Sequence, residues 1–209
     1  GDTKKKRELF IKIVLPLILN VNEKITEDRK KLFKILAKNF NTVGERVWLK
    51  RRFKEYKIDD QDLGKLKIRM DIVPVSIALA QAANESGWGT SRFAREFNAL
   101  FGEYTYDYSN GVVPLLREEG EKHLVKAFKS VDKSIQSYFN NLNSHYAYEG
   151  FREIRKTMRE KNNFSNIKLL IDELDSYAAD TNYIKTINLI IDANKLDQFD
   201  AFSYSINNS

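Results

Sequence analysis

The residue best placed to do chemistry is Glu85, where an alanine-rich stretch, ALAQAANES, runs into Ser86, Gly87, Trp88 and Gly89. Gln81 and Ala82 lie one turn earlier on the same helical face. The negative end of a helix dipole and a neighbouring indole both disfavour an ionised carboxyl, so the sequence predicts a raised pKa. A carboxyl that keeps its proton near neutrality suits donation to a leaving oxygen. Taken alone, the tetrapeptide fits a solvated helix-end residue equally well.

A glycosidase commonly needs a second carboxylate, roughly 5 Å away as nucleophile or roughly 6.5 to 9.5 Å away as base acting through water. The segment LREEGEKH offers Glu118, Glu119 and Glu121 on an expected β-hairpin turn, and Glu103 follows NALFG. Glu119 is the choice by spacing and Glu103 the reserve; solvent-exposed turn positions are the alternative for each. For a sugar that carries a 2-acetamido group at the cleaved bond, that group is a further route. No cysteine is present, which removes thiolate nucleophiles, disulfides and cysteine metal sites. His123 and His145 are the two histidines, too far apart and without an HExxH pattern to suggest a metal site.

The elements that must position these groups read as mainly helical. Helices are expected over Glu8 to Ala37 with a kink or restart at Pro16, Trp48 to Tyr56, and Asp71 to Ser86 with Pro74 in its first turn. Lys57 to Lys65 reads as a connection, and a short helix follows Gly89. A hairpin around Glu119 and Gly120 is the one strand expectation. Four more helices are expected over Ser130 to Asn141, Tyr148 to Lys161, Asn166 to Ala179 and Tyr183 to Asn194, with a frayed C-terminus.

The 209 residues carry a net charge of +6, but residues 1 to 70 hold 20 Lys/Arg against 10 Asp/Glu, and the remainder 15 against 19. The basic third predicts either a surface facing an anionic partner or solvated helix faces. No nucleic-acid-binding signature accompanies it. The apolar run LFIKIVLPLIL is interrupted by Lys12 and Pro16 and is too short to span a bilayer. Because the chain opens at Gly1, an N-terminal signal or anchor segment removed ahead of it, and with it membrane proximity, stays open.

The run AQAANESGWGTSRFAREFNALFG closely resembles the peptidoglycan N-acetylglucosaminidases of glycoside hydrolase family 73, in particular their Bax-type bacterial subgroup. KRELFIKIVLPLILNVNEKI, GVVPLLREEGEKHLVKAFKS, NLNSHYAYEGFREIR and YAADTNYI extend the likeness over most of the chain. The resemblance implies a lysozyme-like, mainly α (α+β) domain over residues 71–209, with a small β-hairpin and a basic N-terminal helical extension over residues 1–70. It implies Glu85 as general acid, with Tyr177 helping to orient substrate and Asp180 and Tyr183 completing its motif. Trp88, Asn98, Phe101, Gly102 and Tyr183 would line the substrate cleft. By residue type alone, buried aromatics pack in cores and the glycines meet backbone requirements.

Against flagellar-type members, Leu116 stands where their hairpin acid lies. The implied activity is an endo-β-N-acetylglucosaminidase acting on peptidoglycan glycan strands in the periplasm or envelope, without metal or organic cofactor. A muramidase or lytic transglycosylase of similar fold, and a cell-wall-binding scaffold without hydrolysis, are the rivals.

Overall fold

A computed structural model describes residues 1–201 of the chain. The order is α1 (Asp2–Leu36), α2 (Val43–Glu55), α3 (Leu63–Arg69), α4 (Val75–Ser86), α5 (Arg92–Phe97), β1 (Tyr104–Thr105), β2 (Gly111–Val112), β3 (Leu124–Lys126), α6 (Val131–Ser144), α7 (Glu149–Glu160), α8 (Lys168–Ile171) and α9 (Tyr183–Asn194). Short 3-10 turns occupy Tyr146–Tyr148, Asp172–Tyr177 and Leu196–Phe199. The mainly helical fold, its small antiparallel sheet and its long N-terminal helix agree with expectation. The expected C-terminal fraying concerns residues 202–209, outside the described part.

Helix α1 passes through Pro16 without interruption. Phe10, Val14, Ile18, Asn22, Ile25, Arg29, Leu32 and Ile35 form one buried stripe, while Lys12, which loses its backbone partner to Pro16, lies on the exposed side with it. Continuous burial on the opposite face carries the helix across the roughly 3 kcal/mol penalty of an internal proline. The buried residues of α1 and α2 belong to the same core cluster as those of α4, α6, α7 and α9.

Helix α4 starts at Val75 rather than Asp71. Residues 71–73 stay non-helical because side chains take over their backbone partners. Asn22 Nδ2 donates to the Val73 carbonyl at 2.9 Å, and Val73 N–H donates back to Asn22 Oδ1 at 3.1 Å. Asn143 Nδ2 donates to the Asp71 carbonyl at 2.9 Å and Arg155 to that of Ile72 at 2.9 Å. Pro74 also disfavours a helical Val73. At the N-terminus of α4, Asp200 accepts from Ser76 N–H at 2.8 Å and Ser76 Oγ at 2.6 Å.

Asp71, 2% exposed, is the electrostatic centre of this region. The Arg159 guanidinium pairs with both of its oxygens, Arg29 lies at 3.5 Å and Arg155 at 3.9 Å. Burial alone would raise the Asp71 pKa, but the three guanidinium groups outweigh it and hold the carboxyl below its ordinary range.

The sheet has the order β1-β3-β2, both pairings antiparallel. The expected hairpin is therefore β2–β3, and β1 is a strand the sequence did not suggest. Its turn is a long connection over residues 113–123 rather than a tight reversal at Glu119 and Gly120. The connection after α2 ends earlier than expected, in α3, and the helix expected over Asn166 to Ala179 divides into α8 and a 3-10 turn.

Replacing Asp71 with Asn leaves three arginines facing a neutral amide, which predicts a loss of about 3 to 5 kcal/mol in urea denaturation. Because the folded carboxyl titrates below its unfolded value, its contribution is present above about pH 4 and disappears as pH falls through the depressed folded value. The wild type is expected to lose stability over that acid range, and the D71N variant to show a flatter profile there.

Candidate active site

Glu85 sits on the last turn of α4, and the chain leaves the helix through an uncommon run of conformations. Gly87, Trp88 and Gly89 all have positive φ, at 56°, 57° and 79°. Ser86 Oγ donates to the Ala82 carbonyl at 2.6 Å and accepts from Gly89 N–H at 2.9 Å, while Trp88 N–H donates to the Ala83 carbonyl at 2.9 Å. A left-handed tryptophan is strained and needs packing to hold it. Here the ring of Phe10 meets the indole edge-on at 5.5 Å between centroids, and the Arg7 guanidinium lies 5.0 Å from its centre.

Trp88, half-buried, therefore docks α1 against the end of α4. The order of the sequence hid this, since its partners lie some eighty residues earlier.

The Glu85 pKa is pushed up to about 7, with burial as the cause. The raised value matches expectation, but desolvation produces it; the indole faces α1. No hydrogen bond or ion pair to the Glu85 carboxyl occurs among the described residues. What crowds it is backbone: at Gly102, φ 66°, a Cβ atom would stand 2.6 Å from Glu85 Oε2. Glycine is required there both for its conformation and for the close approach.

Tyr177 is tied to the same loop. Its hydroxyl donates to the Phe101 carbonyl at 2.7 Å, one residue before Gly102. That commits its proton, so toward a ligand the phenol is an acceptor. Tyr183 stacks on it at 5.6 Å and 12°, and Tyr138 and Tyr148 approach at 6.3 and 6.2 Å. Burial raises its pKa far above the usual phenol, helped by Tyr138, Tyr183, Glu103 and Glu85, so it stays neutral.

Beneath this ring cluster lies Gln81, fully buried and one turn before Glu85. Its Nε2 donates to Tyr183 Oη at 3.0 Å, and its Oε1 accepts from Tyr138 Oη. Gln81 and Tyr138 are the positioning residues that sequence reasoning did not assign. The i, i+4 relation of Gln81 to Glu85 was the available signal for one of them.

Three expected cleft residues turn out to be supports. Tyr183, 3% exposed, backs Tyr177 rather than offering a surface. Phe101, 1% exposed, stacks on Tyr138 at 3.9 Å and 6° and contributes its carbonyl. Asn98, left-handed at φ 56°, donates from Nδ2 to the Phe128 carbonyl at 3.0 Å, fastening the loop to the end of the sheet. Asp180 Oδ1 accepts from Asn182 N–H at 2.8 Å in the turn before α9.

Glu119 is exposed in the 113–123 connection with Glu118 and Glu121, and no carboxylate contributes to the Glu85 shift. The connection is long enough to carry these side chains into solvent, which sequence spacing could not register. Leu116 is 96% exposed on the same connection. Glu103, by contrast, is largely buried beside Gly102, and burial raises its pKa against the opposing effects of Ser137, Lys126 and Lys57.

This geometry accompanies a family match. Residues 61–196 fit the glucosaminidase family, described as mannosyl-glycoprotein endo-beta-N-acetylglucosaminidase. The chain belongs to the glucosaminidase family. It is 32% identical over 179 residues to protein bax of Escherichia coli strain K12, covering 83% of this chain and 64% of that protein. It is 26% identical over 136 residues to the exo-glucosaminidase LytG of Bacillus subtilis strain 168, covering 63% of this chain and 48% of that protein.

The chain thus spans less than two thirds of the length of either relative. Among solved structures, the catalytic domain of the autolysin Auto from Listeria monocytogenes aligns with TM-score 0.46 and 18% identity, over 83% of this chain and 97% of that one. The glucosaminidase match takes in Glu85, Gly102, Glu103 and Tyr177, whereas α1 and α2 lie ahead of it.

Changing Gly102 to Ala should misplace Glu85 without unfolding the protein. Strain at positive φ is expected to cost more than about 1 kcal/mol. Hydrolysis should fall by a larger factor than stability predicts, checked by comparing thermal melts with turnover.

Proposed function

We propose that this glucosaminidase is an endo-acting hydrolase of the N-acetylglucosaminyl bond in peptidoglycan glycan strands, with Glu85 as general acid. The observation that carries the reading is a carboxyl desolvated to a pKa of about 7 and held against Gly102, with the Tyr177 hydroxyl fastened one residue away. Such a group is protonated at neutral pH and still acidic enough to give its proton to a glycosidic oxygen. Tyr177 presents an acceptor that can orient a water or the acetamido N–H.

Attack by the substrate's own 2-acetamido oxygen, or by water positioned on Tyr177 or on a carboxylate such as Glu119 or Glu103, completes the reaction. The family-73 resemblance and the basic N-terminal third support an anionic wall polymer as substrate, and with it a periplasmic or envelope location. No described helix is long and apolar enough to cross a membrane. We place the catalytic unit in residues 71–209 and give residues 1–70 the role of a buttress under α4.

Peptidoglycan digested by the wild type and by Glu85→Gln, reduced with borohydride and mass-analysed, tests the reading. Fragments ending in reduced N-acetylglucosamine from the wild type alone are expected. A reduced muramic or an anhydromuramic end would replace the bond assignment, and release of single terminal residues would make the action exo. Binding without any release would favour a scaffold. Activity of Glu85→Gln at the wild-type level would remove Glu85 as the acid.

Since the acid must be protonated, kcat/KM should fall with rising pH through about pH 7. That basic limb is read directly from a pH–rate profile on a soluble glycan.

A further inference from the structure

The excess of basic residues in the first third of the chain is concentrated in one place. Residues 30–54 hold nine Lys/Arg against one acid, Glu45. They form the end of α1, the connection after it and nearly all of α2, folded into a hairpin: Lys38 pairs with Glu45 at 3.0 Å, and Arg52 reaches back to Asp28 at 3.4 Å. The turn of this hairpin is firmly made. Thr42 Oγ1 accepts from Glu45 N–H at 3.1 Å, Glu45 Oε1 accepts from Thr42 N–H at 2.9 Å, and Arg46 donates to the Asn41 carbonyl at 2.8 Å.

Leu49 and Phe53 turn one face of α2 into the core. At about 3.6 residues per turn, the opposite face carries Val43, Val47, Lys50, Arg51 and Lys54, all of them exposed. Phe40, 88% exposed, precedes the apolar end of that face, where Val43 is 68% exposed. Arg52 takes Asp28 and Glu55, and Lys38 takes Glu45, so among the described residues Lys50, Arg51 and Lys54 form no ion pair. The outer face is thus graded, apolar at the hairpin turn and cationic behind it. It is also remote from the acid: Phe10 packs on Trp88 at the end of α4, and Leu36 closes α1 about 40 Å further along a helix that rises about 1.5 Å per residue.

We propose that the α1–α2 hairpin docks on a bilayer surface containing anionic phospholipid, with Phe40, Val43 and Val47 entering the boundary between headgroups and acyl chains and Lys50, Arg51 and Lys54 held at the level of the phosphates. The occupant follows from the two chemistries being joined on one face. A soluble polyanion would match the charge and leave Phe40 and Val43 in water, and a second copy of this chain would bring like charges together. An anionic bilayer desolvates the apolar end and neutralises the basic one. The inner faces of α1 and α2 still serve the core, and the Glu85 end of the molecule stays free, so the proposal is independent of which bond is cleaved.

Co-sedimentation of the whole chain with vesicles of phosphatidylglycerol and phosphatidylcholine in equal parts, set against phosphatidylcholine alone, tests it. Binding at least tenfold tighter to the anionic vesicles is expected, weakening with added salt. Phe40→Ser with Val43→Ser, which changes no charge, should weaken that binding at least fivefold, and Lys50→Gln with Arg51→Gln and Lys54→Gln at least tenfold. Both variants should keep the melting temperature and any hydrolysis of a soluble glycan, because these side chains are exposed and distant from Glu85.

Equal affinity for neutral vesicles, or binding to neither kind, would overturn the proposal. So would a Phe40→Ser/Val43→Ser variant within twofold of the wild type, because charge alone would then account for the attraction, and so would a melting temperature that falls with the affinity, because these side chains would then belong to the fold. Retention on peptidoglycan that needs the three basic residues, without vesicle binding, would make the wall polymer the occupant. A dimer in sedimentation velocity that Phe40→Ser/Val43→Ser dissolves, again without vesicle binding, would make it a second copy; either result replaces the proposal.

Discussion

The buried charge of Asp71 governs how the helices meet. One carboxylate nearly excluded from water must be surrounded by donors, and the three guanidiniums that surround it come from α1 and α7. The same arginines also serve the backbone of the preceding turn. Arg29 donates to the carbonyls of Lys67 and Met70 at 2.7 and 2.9 Å, and Arg155 to that of Ile68 at 3.0 Å. An irregular stretch can be buried only if its peptide groups are satisfied, and here side chains do what a helix ladder would otherwise do. The register of α4, which begins directly after this stretch, is thereby fixed against both flanking helices. Glu85 inherits its position from that register.

At the other end of α4 the constraint changes from charge to volume. Trp88, wedged between Arg7 and Phe10, closes the helix against α1, and Gly102 leaves room for the Glu85 carboxyl and nothing more. Gln81, Tyr138, Tyr177 and Tyr183 form a hydrogen-bonded and stacked set that holds the Phe101–Gly102 backbone at that distance. Most of the aromatic residues of the site thus act at one remove, by fixing a glycine. The Glu85 pKa is raised because this packing keeps water away from it, and no carboxylate contributes.

Local signals made part of this legible in the sequence. Helix α9 has the expected bounds, α4 ends at the glycine that the sequence offers as its stop, and Glu85 carries the raised pKa that its context suggested. What escaped was long-range. The packing of Trp88 shows only when Phe10 is brought beside it, and Tyr183 reads as a cleft residue until Gln81 takes its hydroxyl. Strands of two or three residues are too short to show a period, so β1 was invisible and the β2–β3 connection looked like a tight turn. Asp71 looked like the first residue of a helix, because no local pattern reveals three arginines converging from distant segments.

Asp71, buried, and Glu85, half-buried, give stability opposite dependences on pH. Asp71, depressed by its arginines, favours the folded state once it is ionised and loses that effect only in acid. Glu85, raised by desolvation, favours the folded state while protonated; that contribution declines as pH rises from its unfolded value toward about 7. Asp200, raised to about 6 by burial at the start of α4, slopes the same way as Glu85. Removing a proton from Glu85 therefore costs some of the fold and, in the proposed reaction, the proton donor as well, whereas protonating Asp71 removes the charge that its arginines surround. Between these limits one carboxyl is ionised and holds the framework while the other keeps the proton that the proposed reaction needs, a contrast that follows from placing guanidinium groups around the first and none against the second.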